Sequence, residues 1–174
     1  MKKSIFLLLF LMTITFCNAQ KNKSQTPNKI LEAKNWLIKN IENQLNSNNG
    51  LAENTNEEAD GEGKSIYTKD YELYKSDALQ IDLDGGMTSA QFKKKWEKKF
   101  QTKFAGESVG FLISAQDWGL IKVIKCAPLI STNEKVFWFK TTIYDTENKL
   151  KYNRDIKVIP SGKSFLIADV LEYN

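Results

Sequence analysis

An α+β fold, with N-terminal helices packed on a curved antiparallel β-sheet, is the architecture this sequence predicts. Three observations predict it. Apolar residues recur at helical spacing between Lys29 and Asn46. A second helical stripe, Phe92, Trp96 and Phe100, opens on a capping signal at Thr88. From Gly110 onward the periodicity changes to the alternation of strands, punctuated by turn residues.

The chain begins Met1-Lys2-Lys3 and continues with an apolar run from Ile5 to Phe16, broken only by Thr13 and Thr15. A basic start, an apolar stretch of roughly a dozen residues and small Ala19 before Gln20 make residues 1–19 a secretory signal. The run is shorter than the ~20 residues a membrane-spanning helix needs, and the polar stretch from Lys21 to Lys29 supplies no anchor. The expected location is the periplasm or the cell exterior. Cys17 raises the rival of lipoprotein processing, but bulky Phe16 stands where that chemistry wants a small residue. If Cys17 leaves with the signal, Cys126 is the only cysteine left. No intramolecular disulfide can then form, and the core must hold the domain. Lone Cys126 lies in an apolar strand-like run, which suits buried packing better than reactivity.

Cleavage removes Lys2 and Lys3 and no acids, so 25 basic residues fall to 23 against 21 acidic ones, a net +2. That balance argues against a nucleic-acid binder. Residues 20–174 suit one domain with one core. Histidine is absent from the whole sequence. The commonest general base and the commonest metal ligand are therefore missing, and no metal or cofactor is expected.

Residues 20–28 read as a polar leader and 29–174 as the domain. Ile30, Leu37, Ile41 and Leu45, widened by Leu31, Trp36 and Ile38, define the first helix. Residues 46–64 are rich in Asn, Ser and Gly and carry Glu53, Glu57, Glu58, Asp60 and Glu62, so they read as a flexible loop. Over 65–81, Tyr67, Tyr71 and Tyr74 suggest a helix running into an extended piece, Leu79–Ile81–Leu83. Gly85-Gly86 is a turn. Thr88 then caps the next helix, with Gln91 completing a capping box, and Lys93, Lys94, Lys95, Lys98 and Lys99 surround its apolar stripe.

Strands are expected at about 110–114, 119–127, 135–145, 150–160 and 163–173. A turn at Ser161-Gly162 sets Val158 opposite Phe165, Ile156 opposite Ile167 and Arg154 opposite Asp169. A turn at Glu147-Asn148 sets Phe139 opposite Ile156 and Thr141 opposite Arg154. One sheet face then carries Phe137, Phe139, Ile143, Tyr152, Ile156 and Val158, joined by Phe165, Ile167, Leu171 and Tyr173. The other carries Lys140, Thr142, Lys151, Asn153, Asp155 and Lys157, with Trp138, Leu166, Ala168 and Val170 among them. One face is core and one is mixed, as in an antiparallel sheet backed by helices on one side.

Helices first, then a long meander closing on Phe165-Leu166-Ile167-Ala168-Asp169-Val170-Leu171-Glu172-Tyr173, resembles the NTF2-like (cystatin-like) superfamily. The resemblance covers most of residues 29–174 and rests on element order and size. It extends to exported bacterial domains of unknown function built on that fold. What it implies is a cone-shaped pocket between helices and sheet, which enzymes, ligand binders and partner-binding modules all use.

Arg154 and Asp169, facing each other on the apolar side beside Tyr152, are the candidate pocket groups. They suit either a polar ligand or a cross-strand ion pair. Trp118, with Asp117 in the turn-like segment from Ser114 to Gly119, is a candidate contact residue, tryptophan being enriched at binding hot spots. Its structural alternative is a cap on the end of the core. The lysines around Trp96 read as a solvated helix face. Asp82-Leu83-Asp84-Gly85 resembles the start of a calcium loop, but Lys93 stands where the bidentate Glu must be. Ser161-Gly162-Lys163-Ser164 resembles the end of a phosphate-binding loop, but Lys157 stands where the first glycine must be.

The expectation is an exported non-catalytic domain that binds a partner protein or small ligand, with toxin immunity as one such role. A homodimer through the outer sheet face is a further expectation. The alternative is a small pocket enzyme of the isomerase or dehydratase kind, with Asp169 as base and Arg154 or Tyr152 as its electrostatic partner.

Overall fold

The computed structural model describes residues 25–47, 65–104, 111–129 and 135–173. The signal segment with Cys17, and residues 48–64 of the acidic stretch, lie outside the described residues. Among the described residues are three α-helices, a short 3-10 turn and one four-stranded antiparallel sheet in the order β1-β2-β3-β4. The fold is α+β.

Helix α1 (Gln25–Ser47) buries Ala33, Leu37, Ile41 and Leu45. Their spacing of four keeps them on one face. The helix begins before Lys29, inside the expected polar leader, and ends past Asn46. Leu31 is exposed, so the buried stripe is narrower than the sequence suggests. Helix α2 (Lys69–Leu79) starts where the Thr68 side chain accepts the Tyr71 backbone N–H. It buries Tyr71, Tyr74 and Ala78. In place of the extended piece expected over 79–83, Leu79 ends α2 and a run of turns follows from Gln80, with Leu79 and Leu83 exposed. Three apolar residues at period two have no neighbouring strand to pair with there.

Helix α3 (Ser89–Trp96) carries the predicted capping box between Thr88 and Gln91. Asp82 also serves this helix start, accepting from the Ser89 N–H at 3.2 Å and hydroxyl at 2.9 Å. That is a turn-and-cap arrangement. Phe92 and Trp96 are buried, and Phe100 packs against them from beyond the helix end. Lys95 and the Trp96 indole N–H converge on Asp77, both at 2.7 Å.

The strands are β1 (Ile121–Pro128), β2 (Phe137–Asp145), β3 (Lys151–Ser161) and β4 (Ser164–Glu172). The β2–β3 register is the expected one, Phe139 opposite Ile156 and Thr141 opposite Arg154. The β3–β4 register differs. Ser161 closes the hairpin against Ser164, so the turn is Gly162-Lys163, with Gly162 at φ +59°. Val158 therefore faces Ile167 rather than Phe165. A bulge at Ala168 then shifts the register again. Ile156 faces Val170, Lys157 faces Asp169, and Arg154 faces Glu172. One extra residue reverses which side chains point inward. Val170 and Glu172 turn to the core side, while Leu171 and Tyr173 fall on the outer face. No strand forms at 111–114.

Both sheet edges are covered. At β1, the Asn46 side chain accepts the Ile121 N–H (2.8 Å) and donates to the Ile121 carbonyl (3.1 Å). One helical turn earlier, Glu42 accepts the Val123 N–H at 2.7 Å. At β4, Thr68 N–H donates to the Ile167 carbonyl (2.9 Å) and Ile167 N–H to the Ile66 carbonyl (2.8 Å). Edge groups left open would template pairing with other chains.

Candidate functional site

The inner face of the sheet holds one polar cluster inside an apolar core. Arg154 is 2% exposed and meets Glu172, 9% exposed, at 3.3 Å. The guanidinium also donates from Nε to the Phe111 carbonyl, from Nη1 to the Asn153 carbonyl (2.9 Å) and from Nη2 to Ser114 Oγ (2.7 Å). Glu172 in turn accepts the Phe111 N–H and the Ser114 hydroxyl, each at 2.9 Å. Burial lowers the pKa of Arg154, and Glu172 opposes that shift. Apart from the bond to Asn153 and the ion pair itself, these bonds run to the segment 111–114, whose Leu112 and Ile113 are buried and whose Phe111 takes φ +55°. The cluster fastens a loop to the sheet. Arg154 is thus drawn to Glu172 and not to Asp169, correcting the pairing the sequence suggests.

Asp169 lies at the bulge, in register with Lys157 and 9% exposed. Burial raises its carboxyl to about 6, against the lowering effects of the Val170 N–H and of Lys157. Its field reaches Tyr71 and Tyr74 on α2. Tyr71 is fully buried with its hydroxyl unpartnered, and burial is the main reason its pKa stands well above the usual value. Tyr152 is 8% exposed, also with an unpartnered hydroxyl, and its ring lies 5.7 Å from the Arg154 guanidinium carbon. Nearby on α2, Lys75 sits 3.3 Å from the centroid of Tyr67, and burial brings its amine down to about 8.

Trp118 is half-buried against the core, and its indole N–H donates to the Leu45 carbonyl at 3.1 Å. It closes the end of α1. Asp117 beside it is exposed. The same end is organised by Asp145, which is fully buried and accepts from Gly119, Glu147 and Asn148 backbone N–H groups and the Asn148 side chain. Burial alone would raise its pKa, and these bonds outweigh that and lower it.

The outer face differs in kind. The helices' buried residues join Phe139, Ile143 and Ile156 in one core, leaving the opposite side of β2 and β3 to Trp138, Lys140, Thr142 and Tyr144, and to Lys151, Asn153, Asp155 and Lys157. Lysines lie over its aromatic rings: Lys157 on Trp138 (5.9 Å), Lys151 on Tyr144 (6.0 Å) and Lys140 on Tyr173 (5.9 Å). The Tyr173 hydroxyl donates to Asp155 Oδ2.

Sequence reasoning singled out Arg154, Asp169, Tyr152 and Trp118, and it did not anticipate the buried contacts of Glu172, Ser114 and Asn46. The signal for Glu172 was present: a carboxylate near the end of an apolar strand, three positions beyond Asp169, of which the later turn supplies two and the bulge one. Among the described residues no group of three or more His, Cys, Asp or Glu side chains is arranged to hold a metal ion. No described helix is long and apolar enough to cross a membrane. The chain has no match among family models, curated proteins or solved structures.

Proposed function

We propose that this chain is an exported, non-catalytic binding domain that recognises a partner protein or small ligand. Occlusion of a toxin is one role such a domain would serve. The observation that carries this reading is the contrast between the two sheet faces. Inner-face Arg154 and Glu172 are tied to backbone and to each other and are not poised for chemistry. Outer-face Trp138, Tyr144 and Tyr173 stand on a side that no described helix packs against. Helices on one face of an antiparallel meander also agree with the NTF2-like resemblance, and the leader at 1–19 with export. Of the binding contacts expected from the sequence, Trp118, Asp117, Arg154 and Asp169, Trp118 bonds to the end of α1 and Arg154 to Glu172 within the fold.

A second reading rests on Asp169. A buried carboxyl at about 6 has the proton affinity a general base needs near neutral pH. An isomerase or dehydratase would place it, with Tyr71 or Tyr152, against a small substrate. Its weakness is that Arg154 serves Glu172 instead. Native mass spectrometry of the protein isolated gently from its host's envelope fraction separates the two. A second protein at fixed stoichiometry supports the binding domain. A small-molecule adduct lost in Asp169→Ala supports the enzyme. The bare mass of the chain alone, from gentle isolation onward, overturns the binding reading.

A further inference from the structure

Among the described residues, the outer sheet face carries more lysines than carboxylates. Register places Lys122, Lys125, Lys140, Lys151 and Lys157 on it, against the carboxylate of Asp155 and that of Glu42, which reaches Lys122 from α1 at 4.0 Å. The excess of three positive charges is large for a chain whose total is +4. The lysines are spread over the face. One cross-strand row reads Lys122–Tyr144–Lys151, the next Lys125–Thr142–Asn153, then Ala127–Lys140–Asp155–Leu171, then Trp138–Lys157. Rows on one face lie about 7 Å apart and strands about 4.8 Å apart. Lys125, Lys140, Lys151 and Lys157 have no carboxylate within ion-pair distance among the described residues; neither do Lys93, Lys94 and Lys98 of the α3 region, where Lys95 and Lys99 are each paired at 2.7 Å.

We propose that this face is a docking surface for an acidic polypeptide, with the aromatic rings of Trp138, Tyr144 and Tyr173 as its contact floor. The inference rests on the binding-domain reading and names its surface and partner chemistry. Charge complementarity selects the occupant. A second copy related by a two-fold axis would set the same lysines against one another, which disfavours the homodimer expected from the sequence. A nucleic-acid strand carries phosphate at every step and would meet Asp155 with like charge. A polypeptide can place a basic or polar residue there. The face spans on the order of 400 Å² by strand geometry, about half of what one partner gives to a standard interface. Binding is therefore salt-sensitive and fast to form, steered by the field of the lysines.

The test measures binding of poly-L-glutamate to the whole mature chain, with oligo-dT as the nucleic-acid arm. The key variant is Lys125→Glu/Lys140→Glu/Lys151→Glu, all at exposed positions outside the core. The charge-matched control is Lys93→Glu/Lys94→Glu/Lys98→Glu on and after α3. The expected result is a loss of about tenfold or more in the sheet variant, a smaller change in the control, and weakening of the wild type as salt rises. Wild-type affinity in the sheet variant overturns the proposal, as does an equal loss in the control. Tighter binding of oligo-dT through the same lysines assigns the face to nucleic acid and overturns it. So does self-association of the wild type that the sheet variant abolishes. Binding that appears only when Glu53, Glu57, Glu58, Asp60 and Glu62 are neutralised overturns it in favour of the chain's own acidic segment. A partner found by native mass spectrometry that still binds the sheet variant removes this face and leaves the binding-domain reading intact.

Discussion

Asp169 sits where ionisation costs the folded protein free energy. Its carboxyl is raised to about 6 from an ordinary 3.8, chiefly by burial. Below the ordinary value the group is protonated in both folded and unfolded chains and has no effect. As pH rises from about 4 to about 6, the unfolded chain gives up its proton first, so stability falls through that window and stays lower above it. The full shift corresponds to at most about 3 kcal/mol, reduced in practice by whatever attraction to Lys157 is lost on substitution. Asn at this position keeps a carbonyl oxygen for the Val170 N–H and never ionises. Asp169→Asn is therefore expected to unfold at higher urea than the wild type near neutral pH, by about 1–2 kcal/mol. The difference should vanish below about pH 4. A variant weaker than the wild type at neutral pH would mean that Lys157 outweighs burial, and that Asp169 is an ordinary surface partner. The same reasoning separates the two functional readings, because a group held at a stability cost is what a general base requires and what a docking face does not.

At the scale of elements, the segment 111–114 has no secondary structure of its own and depends on two side chains from adjacent strands. Arg154→Ala leaves Glu172 buried and uncompensated, and Glu172→Ala does the same to Arg154. Each is expected to cost about 3–5 kcal/mol. Hydrogen exchange should rise at residues 111–114 well before it rises in β2. The double variant Arg154→Met/Glu172→Leu removes both charges and should recover most of the loss, though its 111–114 segment stays loosened because Phe111 and Ser114 have lost their partners. Full recovery of exchange protection in the double variant would show that apolar packing of Leu112 and Ile113 holds the segment unaided. This cluster also marks the limit of what the sequence makes legible. The β2–β3 hairpin can be read because Asp145, Thr146, Glu147 and Asn148 form a turn centred where their chemistry suggests. In the β3–β4 hairpin the turn is one residue later than Ser161-Gly162. That moves the partner of Val158 by two residues, from Phe165 to Ile167, and leaves every side chain on its expected face. The bulge at Ala168 does the rest. It adds a single residue and reverses inside and outside for the end of β4; with the two-residue move at the turn, it brings Glu172 rather than Asp169 opposite Arg154. Nothing in the local composition of Leu166-Ile167-Ala168-Asp169-Val170 announces it, since the run alternates no better in one register than in the other. The edge contacts of Asn46 and Glu42 were hidden for a different reason: a polar residue on a helix reads as solvated until the strand it serves is in place.

For the whole molecule, the question is what holds the domain together when the one cysteine among its described residues, Cys126, is free. One core runs from α1 through the sheet to the aromatic stack of Tyr71, Tyr74, Phe92 and Trp96, and it includes Cys126 at 8% exposure. Burial raises the Cys126 thiol, with opposing contributions from Thr141 and Lys34, so the thiolate that would react with an oxidant or a disulfide is scarce as well as inaccessible. A chain stabilised in this way has no redox-dependent step in its unfolding. The mature protein is expected to melt at the same temperature with and without a reducing agent. A disulfide-exchange reagent should find no reactive thiol in the native state and one on unfolding. Two thiols on unfolding would mean that Cys17 is still present and unmodified, and that the signal is not cut after Ala19. One thiol with a mass raised by acyl chains would mean that Cys17 is the lipidated first residue, which would fix the domain to a membrane surface through its N-terminus. One thiol at the mass of residues 20–174 would leave the domain unattached. In that case its lysine-bearing sheet face would be free to meet a partner in any orientation.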